Sequence, residues 1–278
     1  MECPRKYYFN YHRNWVPENP SIHLEFGVAW HLALEYLYRN GITYANIIPA
    51  FENFMLHYRK HFSAETDSIH VKNPQNAKNA LISYVAKYKD EEIKVLNVEI
   101  AGFTNIAPDI KLTYRMDVVL QSPNGDIWVM DHKTASKRSQ TADDAWCTSH
   151  QLWIYIHAAR ELYGDLVKGA IVDTTVFLKK EQNHHRIRIQ RSHHQMESLY
   201  WSVMTHVDML RWNLARMEEV TEKDESMFAF PLNPKSCTDY GRCPYLDLCM
   251  AWTDPHRRKN PGGFVESEWN PLDVKHTL

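Results

Sequence analysis

The sequence lacks the features that mark a membrane-embedded or secreted protein. No apolar run approaches the length of a membrane span, and the N-terminal stretch "MECPRKYYF" has no apolar signal-peptide region. Internal repeats and low-complexity tracts are also absent. We therefore expect a cytoplasmic protein that has no membrane partner.

A strong net charge is lacking as well. The 32 lysines and arginines nearly balance the 34 aspartates and glutamates, which leaves a formal net charge of -2. Since the whole molecule carries no basic field, any binding of nucleic acid must come from local patches. The 278 residues, 44% of them hydrophobic, suffice for a folded core and for one large domain or a domain with appendages.

Cysteine is scarce, with five residues in the chain. In a reducing compartment so few thiols indicate metal ligation or idle side chains, not a disulfide framework. Three follow one another at equal steps in "CTDYGRCPYLDLC" (Cys237, Cys243 and Cys249), and Cys3 lies near the N-terminus. Four cysteine ligands suit either zinc or an iron–sulfur cluster, although the spacing is wider than the close pairs typical of zinc. Cys147 has no place in this pattern and is interpreted as a plain thiol.

Apolar periodicity predicts an alternation of helices and strands. Gly41 is typical of a helix C-terminus, Pro74 of a first helical turn, and the stretch "SPNGD" of a hairpin turn. The predicted helices cover residues 22–41, 44–62, 74–92, 143–164 and 194–219, and the predicted strands cover 93–103, 110–121, 126–134, 168–180 and 185–192. From Ser226 onward the chain is rich in proline and cysteine and is predicted to be irregular. This order predicts an α/β fold with a small mixed sheet flanked by helices.

Charged residues follow directly after a buried strand in the stretch "DIWVMDHKTASKRSQ". Asp131 and Lys133 are two positions apart, so that both side chains point to the same side of an extended chain. Asp117, in "YRMDVV", lies on the strand across the hairpin, and Glu99 lies on the strand before that one. Clustered carboxylates are ligands for Mg²⁺ or Mn²⁺, and a lysine beside them can orient a water or stabilise a pentavalent phosphate. Taken alone, the triplet is a weak signal and favours an ordinary solvated ion pair, because charged residues at strand ends are common.

Five short motifs, in this order along the chain, resemble the PD-(D/E)XK nuclease superfamily. The similarity is greatest to its RecB-like branch, which includes the nuclease domains of bacterial helicase–nucleases and the CRISPR-associated exonucleases. The motifs are "GVAWHLALE" with His31, "VEI" with Glu99, "YRMD" with Asp117, "DHKT" with Asp131 and Lys133, and "QLWIYIHA" with Gln151 and Tyr155. One departure is Tyr114, which stands where members of the family often have glycine.

The resemblance implies a fold. It predicts a restriction-endonuclease-like core, a small mixed sheet flanked by helices, with a helical N-terminal region and a Cys-rich C-terminal segment. On this view residues 1–278 form a single nuclease domain. Its helical part with the first cluster cysteine covers 1–92, its catalytic sheet core 93–192, and its long helix with the Cys-rich segment 193–278.

The resemblance also implies a role for each motif. Metal ligands for Mg²⁺ or Mn²⁺ would be His31, Asp117, Asp131 and the backbone carbonyl of His132, with Glu99 as a further candidate. Lys133 would position the hydrolytic water, and Gln151 and Tyr155 would orient this lysine or touch the DNA. The family points to a metal-dependent exonuclease that hydrolyses phosphodiester bonds at DNA ends. Its setting would be recombination, repair, phage or CRISPR-linked DNA processing in a bacterial, archaeal or phage-infected cell, beside a helicase or a recombination or CRISPR partner.

The cysteine pattern resembles the one-plus-three arrangement of the iron–sulfur subset of RecB-like nucleases. In that subset a [4Fe–4S] cluster joins the N-terminus to the C-terminal segment around the nuclease core. The resemblance therefore implies Cys3, Cys237, Cys243 and Cys249 as cluster ligands, with Zn²⁺ as the alternative.

Basic residues near these motifs are candidates for contact with the DNA backbone. Arg5 and Lys6 are interleaved with aromatic residues, and Lys137 and Arg138 follow the predicted catalytic strand. Arg186, Arg188 and Arg191, Lys179 and Lys180, and the run Arg257, Arg258 and Lys259 form a second set. The alternative for any one of them is ordinary solvated surface charge.

Two other functions compete with nuclease activity. The chain could be a catalytically silent subunit that binds DNA or assists assembly, or a zinc-stapled nucleic-acid-binding protein without hydrolysis. A silent copy is expected to have lost Asp117, Asp131 or Lys133, and all three are present. This favours the enzyme.

Overall fold

The computed structural model describes residues 3–19, 21–137, 139–220, 227–238, 242–251, 261–268, 270 and 272. The chain divides into two compact units, Met1–Pro20 with Tyr200–Asn270 and Ser21–Leu199 with Pro271–Leu278. The expectation of a single nuclease domain with boundaries at residues 92 and 193 stays a prediction.

Helices and strands alternate along the described residues. The helices are α1 (Pro4–Tyr7), α2 (Ile22–Asn40), α3 (Ile47–His61), α4 (Pro74–Tyr88), α5 (Gln140–Ala145), α6 (His150–Tyr163), α7 (His193–Met217) and α8 (Leu246–Ala251). The strands are β1 (Trp15–Pro17), β2 (Lys94–Ala107), β3 (Ile110–Gln121), β4 (Ile127–Ala135), β5 (Val167–Phe177), β6 (Gln182–Gln190) and β7 (Phe264–Glu266).

The central sheet has five strands in the order β2-β3-β4-β5-β6. Strands β4 and β5 run parallel and every other neighbouring pair runs antiparallel. A parallel pair needs a long crossover connection, and here α5 and α6 supply it. The predicted fold class, a mixed sheet flanked by helices, is confirmed.

Strand β4 belongs to the core because both of its faces are buried. Trp128 and Met130 belong to the cluster formed with α2, α3 and α4, and the alternate residue Val129 is fully buried as well. Helix α2 contributes Trp30, Leu34 and other apolar residues at helical spacing to the same cluster. This packing holds α2 directly beside the end of β4 that carries the DHK triplet.

The helix predicted over 143–164 is interrupted. Helix α5 ends at Ala145, a single 3₁₀ turn covers Trp146–Thr148, and α6 begins after Ser149. The Ser149 side chain accepts a hydrogen bond from the Leu152 backbone and therefore caps α6, which apolar spacing alone did not reveal.

The tail predicted to be irregular contains a 3₁₀ turn over Pro234–Cys237, a short helix and a strand among its described residues. Helix α8 covers Leu246–Ala251, and β7 pairs antiparallel with β1 near the other end of the chain. Within this unit the Tyr245 hydroxyl donates to the Trp15 carbonyl oxygen at 2.6 Å, and Phe9 packs between the two rings. These contacts hold the N-terminal segment against the Cys-rich segment.

Tyr114 lies directly across from Gly102 in the β2–β3 ladder. A Cβ atom at position 102 would lie 2.6 Å from the Tyr114 hydroxyl. The tyrosine ring thus covers a residue that has no side chain, and the strand pairing stays regular at this point. Tyr114 therefore leaves the strand that carries Asp117 intact.

Candidate active site

The sequence-predicted motifs converge on one cleft of about 430 Å³. Helix α2 supplies its wall on one side, β2 to β4 its floor, and α6 the remaining wall. The predicted site residues that line it are His31, Glu99, Asp117, Asp131, His132, Lys133, Gln151 and Tyr155.

Asp117 is buried where the β3–β4 ladder ends. The last regular pairs run up to Val118 opposite Met130, and beyond them the His132 backbone N–H donates to Asp117 Oδ2 at 2.6 Å. The other carboxylate oxygen lies 3.3 Å from His31 Nδ1. The hairpin and α2 therefore fix both oxygens of Asp117.

Asp131 and Lys133 point into the cleft from the same side of β4, as their spacing predicts. Lys133 Nζ lies 2.7 Å from Asp131 Oδ2. The Asp131 side chain is 2% exposed, and in the described part of the chain its Oδ2 has no well-directed hydrogen bond besides this ion pair. The buried oxygen therefore keeps the capacity to bind a further positive group.

Gln151 links the lysine to the aspartate. Its Oε1 accepts from Lys133 Nζ at 3.3 Å, and its Nε2 lies 3.4 Å from Asp131 Oδ1. The same amide donates to the Tyr155 hydroxyl at 2.9 Å, one helical turn further along α6. This chain of contacts fits the expected role of orienting Lys133.

Glu99 meets the cluster from β2. It accepts a 2.6 Å hydrogen bond from Arg115 Nε, with which it forms an ion pair. The cluster has three members, each with one possible metal-ligand atom within 4.8 Å of the other two: His31, Glu99 and Asp117. The Glu99 backbone has φ of 55°, in the left-handed region that residues with a side chain rarely adopt. The strand is thus distorted at the point where its carboxylate enters the cleft.

The electrostatics of the cleft separate its acids. Burial and the nearby Asp117 charge raise the pKa of Glu99, while Arg115 opposes this. Burial raises the pKa of Asp131 too, partly offset by Lys133. Burial also opposes the ionisation of Asp117, but the charge and hydrogen bond of His31 outweigh it and hold the pKa of Asp117 low.

His31 is shifted by the same interaction. Burial disfavours its charged form, but the carboxylate of Asp117 outweighs this effect and raises the pKa of His31. Three carboxylic acids and one histidine therefore lie crowded together in a buried space, where neighbouring charges shift the pKa of each. A divalent cation would relieve this crowding, and the oxygen-rich donor set with one imidazole suits Mg²⁺ or Mn²⁺.

A largely buried ionic network lies on the opposite side of β4. His132 Nδ1 is 2.9 Å from Asp173 Oδ2, and Arg186 Nε donates to Asp173 Oδ1 at 3.1 Å. Tyr84 donates a 2.5 Å hydrogen bond to the same aspartate. Burial opposes ionisation of Asp173, but the hydrogen bond of His132 and the charge of Arg186 hold its pKa below the ordinary value. The network anchors His132, which lies between the cleft-facing residues Asp131 and Lys133.

Two arginines proposed as DNA contacts are structural instead. The Arg186 side chain is 11% exposed and forms an ion pair with Asp173. Arg191 is buried and donates to the carbonyl oxygens of Trp146, Cys147 and Ser149, so that it holds the break between α5 and α6. Both predictions were wrong because spacing does not show whether an arginine faces solvent or a buried acceptor.

The other candidate DNA contacts lie in different surroundings. Lys137 is exposed just after β4, whereas Arg138 lies outside the described residues, as do Arg257, Arg258 and Lys259. Arg5 donates to the carbonyl oxygens of Phe230 and Met227, and Lys6 is half-buried. The DNA-binding role of each stays a prediction.

Sequence reasoning missed two cations at this site. Arg115 precedes Asp117 by two positions and so faces the same way, a signal that was available in the spacing. Lys72 is 4% exposed and donates to Thr134 Oγ1 at 2.8 Å, directly after Lys133, and burial lowers its pKa to about 8. Nothing in the local sequence around Lys72 indicates this contact.

The four candidate cluster cysteines share one electrostatic environment. Besides burial, Cys3 and Cys237 both contribute to raising the pKa of Cys243 and of Cys249. The Asn233 backbone nitrogen lies 3.3 Å from Cys3 Sγ. Burial raises the pKa of the Cys249 thiol to about 11, although Arg5 opposes the shift.

The spacing of these sulfurs bears on the choice of metal. Bond lengths of about 2.3 Å to a tetrahedral zinc would bring four sulfurs within roughly 3.8 Å of one another. Within the described residues no three cysteine sulfurs lie within 4.8 Å. The choice between zinc and an iron–sulfur cluster therefore stays a prediction. Cys147 is exposed.

Comparisons with known proteins identify the family but little else. The family model of the PD-(D/E)XK nuclease superfamily matches residues 1–250. No curated protein matches the chain. Among solved structures, "Crystal structure of SSO0001" is 13% identical, with 63% of this chain and 74% of that chain covered and a TM-score of 0.30. "SPO1766 protein of unknown function from Silicibacter pomeroyi" is 16% identical, with 47% and 85% covered and a TM-score of 0.15. At such TM-scores neither likeness indicates a function.

Among the described residues, no helix has the length and apolar character needed to cross a membrane.

Proposed function

The chain belongs to the PD-(D/E)XK nuclease superfamily, and we propose that it is a Mg²⁺- or Mn²⁺-dependent deoxyribonuclease of the RecB-like branch. The superfamily suggests a metal-dependent nuclease with DNA as its substrate. The finer assignment, an exonuclease that acts on single strands or free ends, is supported by the order of the motifs from His31 to Tyr155 and by the four cysteines.

One observation carries the proposal. Asp117, Asp131 and Lys133 lie in the same cleft, with a buried oxygen of Asp131 that keeps the capacity for another cationic partner. A surface ion pair would leave both groups solvated and would need no second carboxylate beside it. The buried pair of carboxylic acids is therefore more consistent with a catalytic role than with a role in stabilising the fold.

The chain's own residues divide the work of hydrolysis. His31, Asp117 and Asp131 would hold the cation, with Glu99 and the His132 carbonyl as further candidate ligands. When bound, the cation supplies activation of water and neutralises charge on the phosphate. Lys133, kept in place by Asp131 and Gln151, would position the attacking water and stabilise the added negative charge. Exposed Lys137 would contact the DNA backbone.

A structural [4Fe–4S] cluster on Cys3, Cys237, Cys243 and Cys249 is part of the proposal. Arg5 and Lys6 lie close enough to these thiols to lower the cost of the negative charge that ligation brings. This gives the two basic residues an alternative to DNA binding. Zn²⁺ remains the competing occupant.

The test compares Lys133→Ala with the wild-type protein on end-labelled single- and double-stranded DNA in Mg²⁺ or Mn²⁺. We expect loss of hydrolysis by about 100-fold or more, since the removed group stabilises the transition state and not the fold. Lys168→Ala is the matched control, because Lys168 lies outside the cleft, where its Nζ is 3.8 Å from Asp126 Oδ1 and donates an exposed hydrogen bond to the Asp165 carbonyl oxygen at 3.2 Å. Equal degradation by wild type and Lys133→Ala would refute the mechanism.

The mode of cleavage is tested on the same protein with a covalently closed circular single strand. An exonuclease degrades the linear strand and leaves the circle intact, whereas degradation of both identifies an endonuclease. If no DNA is cleaved but all variants bind it equally, the proposal gives way to the silent DNA-binding subunit.

A further inference from the structure

A second group of metal-ligating side chains lies away from the cleft. Glu25, His57 and His61 each offer one ligand atom, and these atoms lie within 4.8 Å of one another. His57 Nε2 is 2.8 Å from Glu25 Oε2, and His61 Nε2 is 3.4 Å from the same oxygen. The two imidazole rings have centroids 5.0 Å apart. None of the three lines the nuclease cleft.

The sequence and the packing of two helices explain this convergence. His57 and His61 are four positions apart in α3, and therefore share one helix face. Glu25 lies in the first turn of α2, next to the buried Phe26. Phe26 packs edge-to-face on Phe54 at 5.2 Å, which fixes the distance between the two helices beside the cluster.

The three side chains are held in place. The Glu25 and His57 side chains are 16% and 13% exposed, and only His61 is open to solvent on one side, at 32%. Ordered groups of this kind lose little conformational entropy when a ligand binds, unlike long surface side chains. The cluster is thus organised before any ion arrives.

We propose that Glu25, His57 and His61 form a second metal site, which takes a borderline divalent cation of the Zn²⁺ type. Two imidazoles and one carboxylate are a donor set that zinc accepts, whereas Mg²⁺ prefers oxygen ligands. Tetrahedral bonds of about 2.0–2.1 Å place neighbouring ligand atoms about 3.3 Å apart. The observed separations of 2.8 and 3.4 Å from Glu25 Oε2 bracket that value.

The cation would occupy the space between the three ligand atoms with one position left to water, on the solvent side of His61. In this structure Glu25 Oε2 is hydrogen-bonded to His57 Nε2 at 2.8 Å. The ion would replace this hydrogen bond and join the first turn of α2 to the last turn of α3. Since α2 also carries His31, the site would brace the helix on which the nuclease cleft depends.

The test measures Zn²⁺ bound per chain by equilibrium dialysis. The wild type is compared with His57→Ala/His61→Ala and with the control His193→Ala/His194→Ala, which removes two exposed histidines at the start of α7. We expect the first variant to bind about one equivalent less than the wild type, and the control to match the wild type. Equal binding by all three proteins would overturn the proposal and leave Glu25 as the partner of two histidines in an ion pair.

A second variant keeps the test decisive if the double substitution impairs folding. Glu25→Gln preserves size and polarity but removes the anionic ligand, and should weaken this site on the order of 100-fold. Co²⁺ titration supplies a signature of its own, because ligation by nitrogen and oxygen gives visible bands without the thiolate charge-transfer absorption of a cysteine site. Loss of those bands in Glu25→Gln supports the site, and bands unchanged from the wild type refute it.

Discussion

At Glu99 the backbone has a positive φ, which is unfavourable for any residue that has a side chain. A φ of 55° at a glutamate costs of the order of 1–3 kcal/mol relative to an unstrained strand residue. The surrounding ladder enforces it, since regular pairs continue on both sides, from Val98 opposite Val118 to Ile100 opposite Met116. The gain is that a carboxylate reaches Arg115, His31 and Asp117.

Two substitutions separate this strain from the loss of the carboxylate. Glu99→Ala and Glu99→Gly both remove the ion pair with Arg115, but only glycine adopts positive φ without a steric cost. We expect Glu99→Gly to be more stable than Glu99→Ala by about 1 kcal/mol in urea unfolding at neutral pH. Equal unfolding free energies would mean that position 99 stores no strain.

Strand β4 carries the candidate catalytic residues on one face and a buried anchor on the other. Asp131 and Lys133 enter the cleft, while His132 between them is anchored to Asp173 on the other face. The alternation of side chains along a strand makes this division unavoidable. A change in the buried network would therefore reach the candidate catalytic residues through one residue of backbone.

Strand β6 is attached to its neighbours by a buried neutral histidine. His184 Nδ1 lies 2.9 Å from Thr175 Oγ1 on β5, and its Nε2 lies 2.8 Å from Ser83 Oγ on α4. Burial lowers the pKa of His184 to about 4 from the ordinary 6.5. In the unfolded chain the same ring takes up a proton below about pH 6.5.

This difference predicts a pH dependence of stability with a definite sign. Between about pH 6.5 and 4 the unfolded chain binds more protons at His184 than the folded chain, so that the stabilisation is complete above this window and is lost as the pH falls through it. From pH 7 to pH 5 the wild type should lose about 2 kcal/mol more unfolding free energy than His184→Gln.

The control for that measurement is His193→Gln, an exposed histidine that should leave the wild-type pH dependence unchanged. Urea unfolding at the two pH values measures all three proteins. Parallel losses in the wild type and His184→Gln would show that His184 does not titrate differently on unfolding.

At the scale of the whole molecule, the unit formed by Met1–Pro20 and Tyr200–Asn270 has its own core. Tyr8, Phe9, Trp15, Phe230 and Tyr245 are buried together, and two of the candidate cluster cysteines, Cys243 and Cys249, pack against this core. A [4Fe–4S] group would join the segment after Cys3 to the segment from Cys237 to Cys249. In a metallo-unit of this kind, binding free energy contributes directly to folding.

The matched pair Cys249→Ser and Cys147→Ser tests the cluster. We expect the wild type and Cys147→Ser to show broad visible absorption and about four iron atoms per chain, and Cys249→Ser to lose both. Limited proteolysis should then cut the N-terminal segment of Cys249→Ser first, because its anchor is gone. A colourless wild-type protein that holds zinc would contradict the iron–sulfur assignment.

Much of the candidate site was predictable from local spacing. The two-residue period of a strand puts Asp131 and Lys133 on one side, and the helical period puts Gln151 beside Tyr155, whatever the remaining fold. The hairpin turn between β3 and β4 also limits how far Asp117 can be from Asp131. These relations depend on residues close in sequence, so that the sequence alone determines them.

The rest was decided by contacts between distant elements. Arg186 and Arg191 read as surface cations, yet each meets a buried acceptor on another element, Asp173 or the carbonyl groups after α5. Glu25 meets His57 and His61 only because α2 packs on α3. Whether a charged group is solvated or paired depends on desolvation and on the partner that folding places opposite it. The sequence therefore determined the periodic faces and the order of the motifs, and the tertiary structure alone decided which charges those faces bury together.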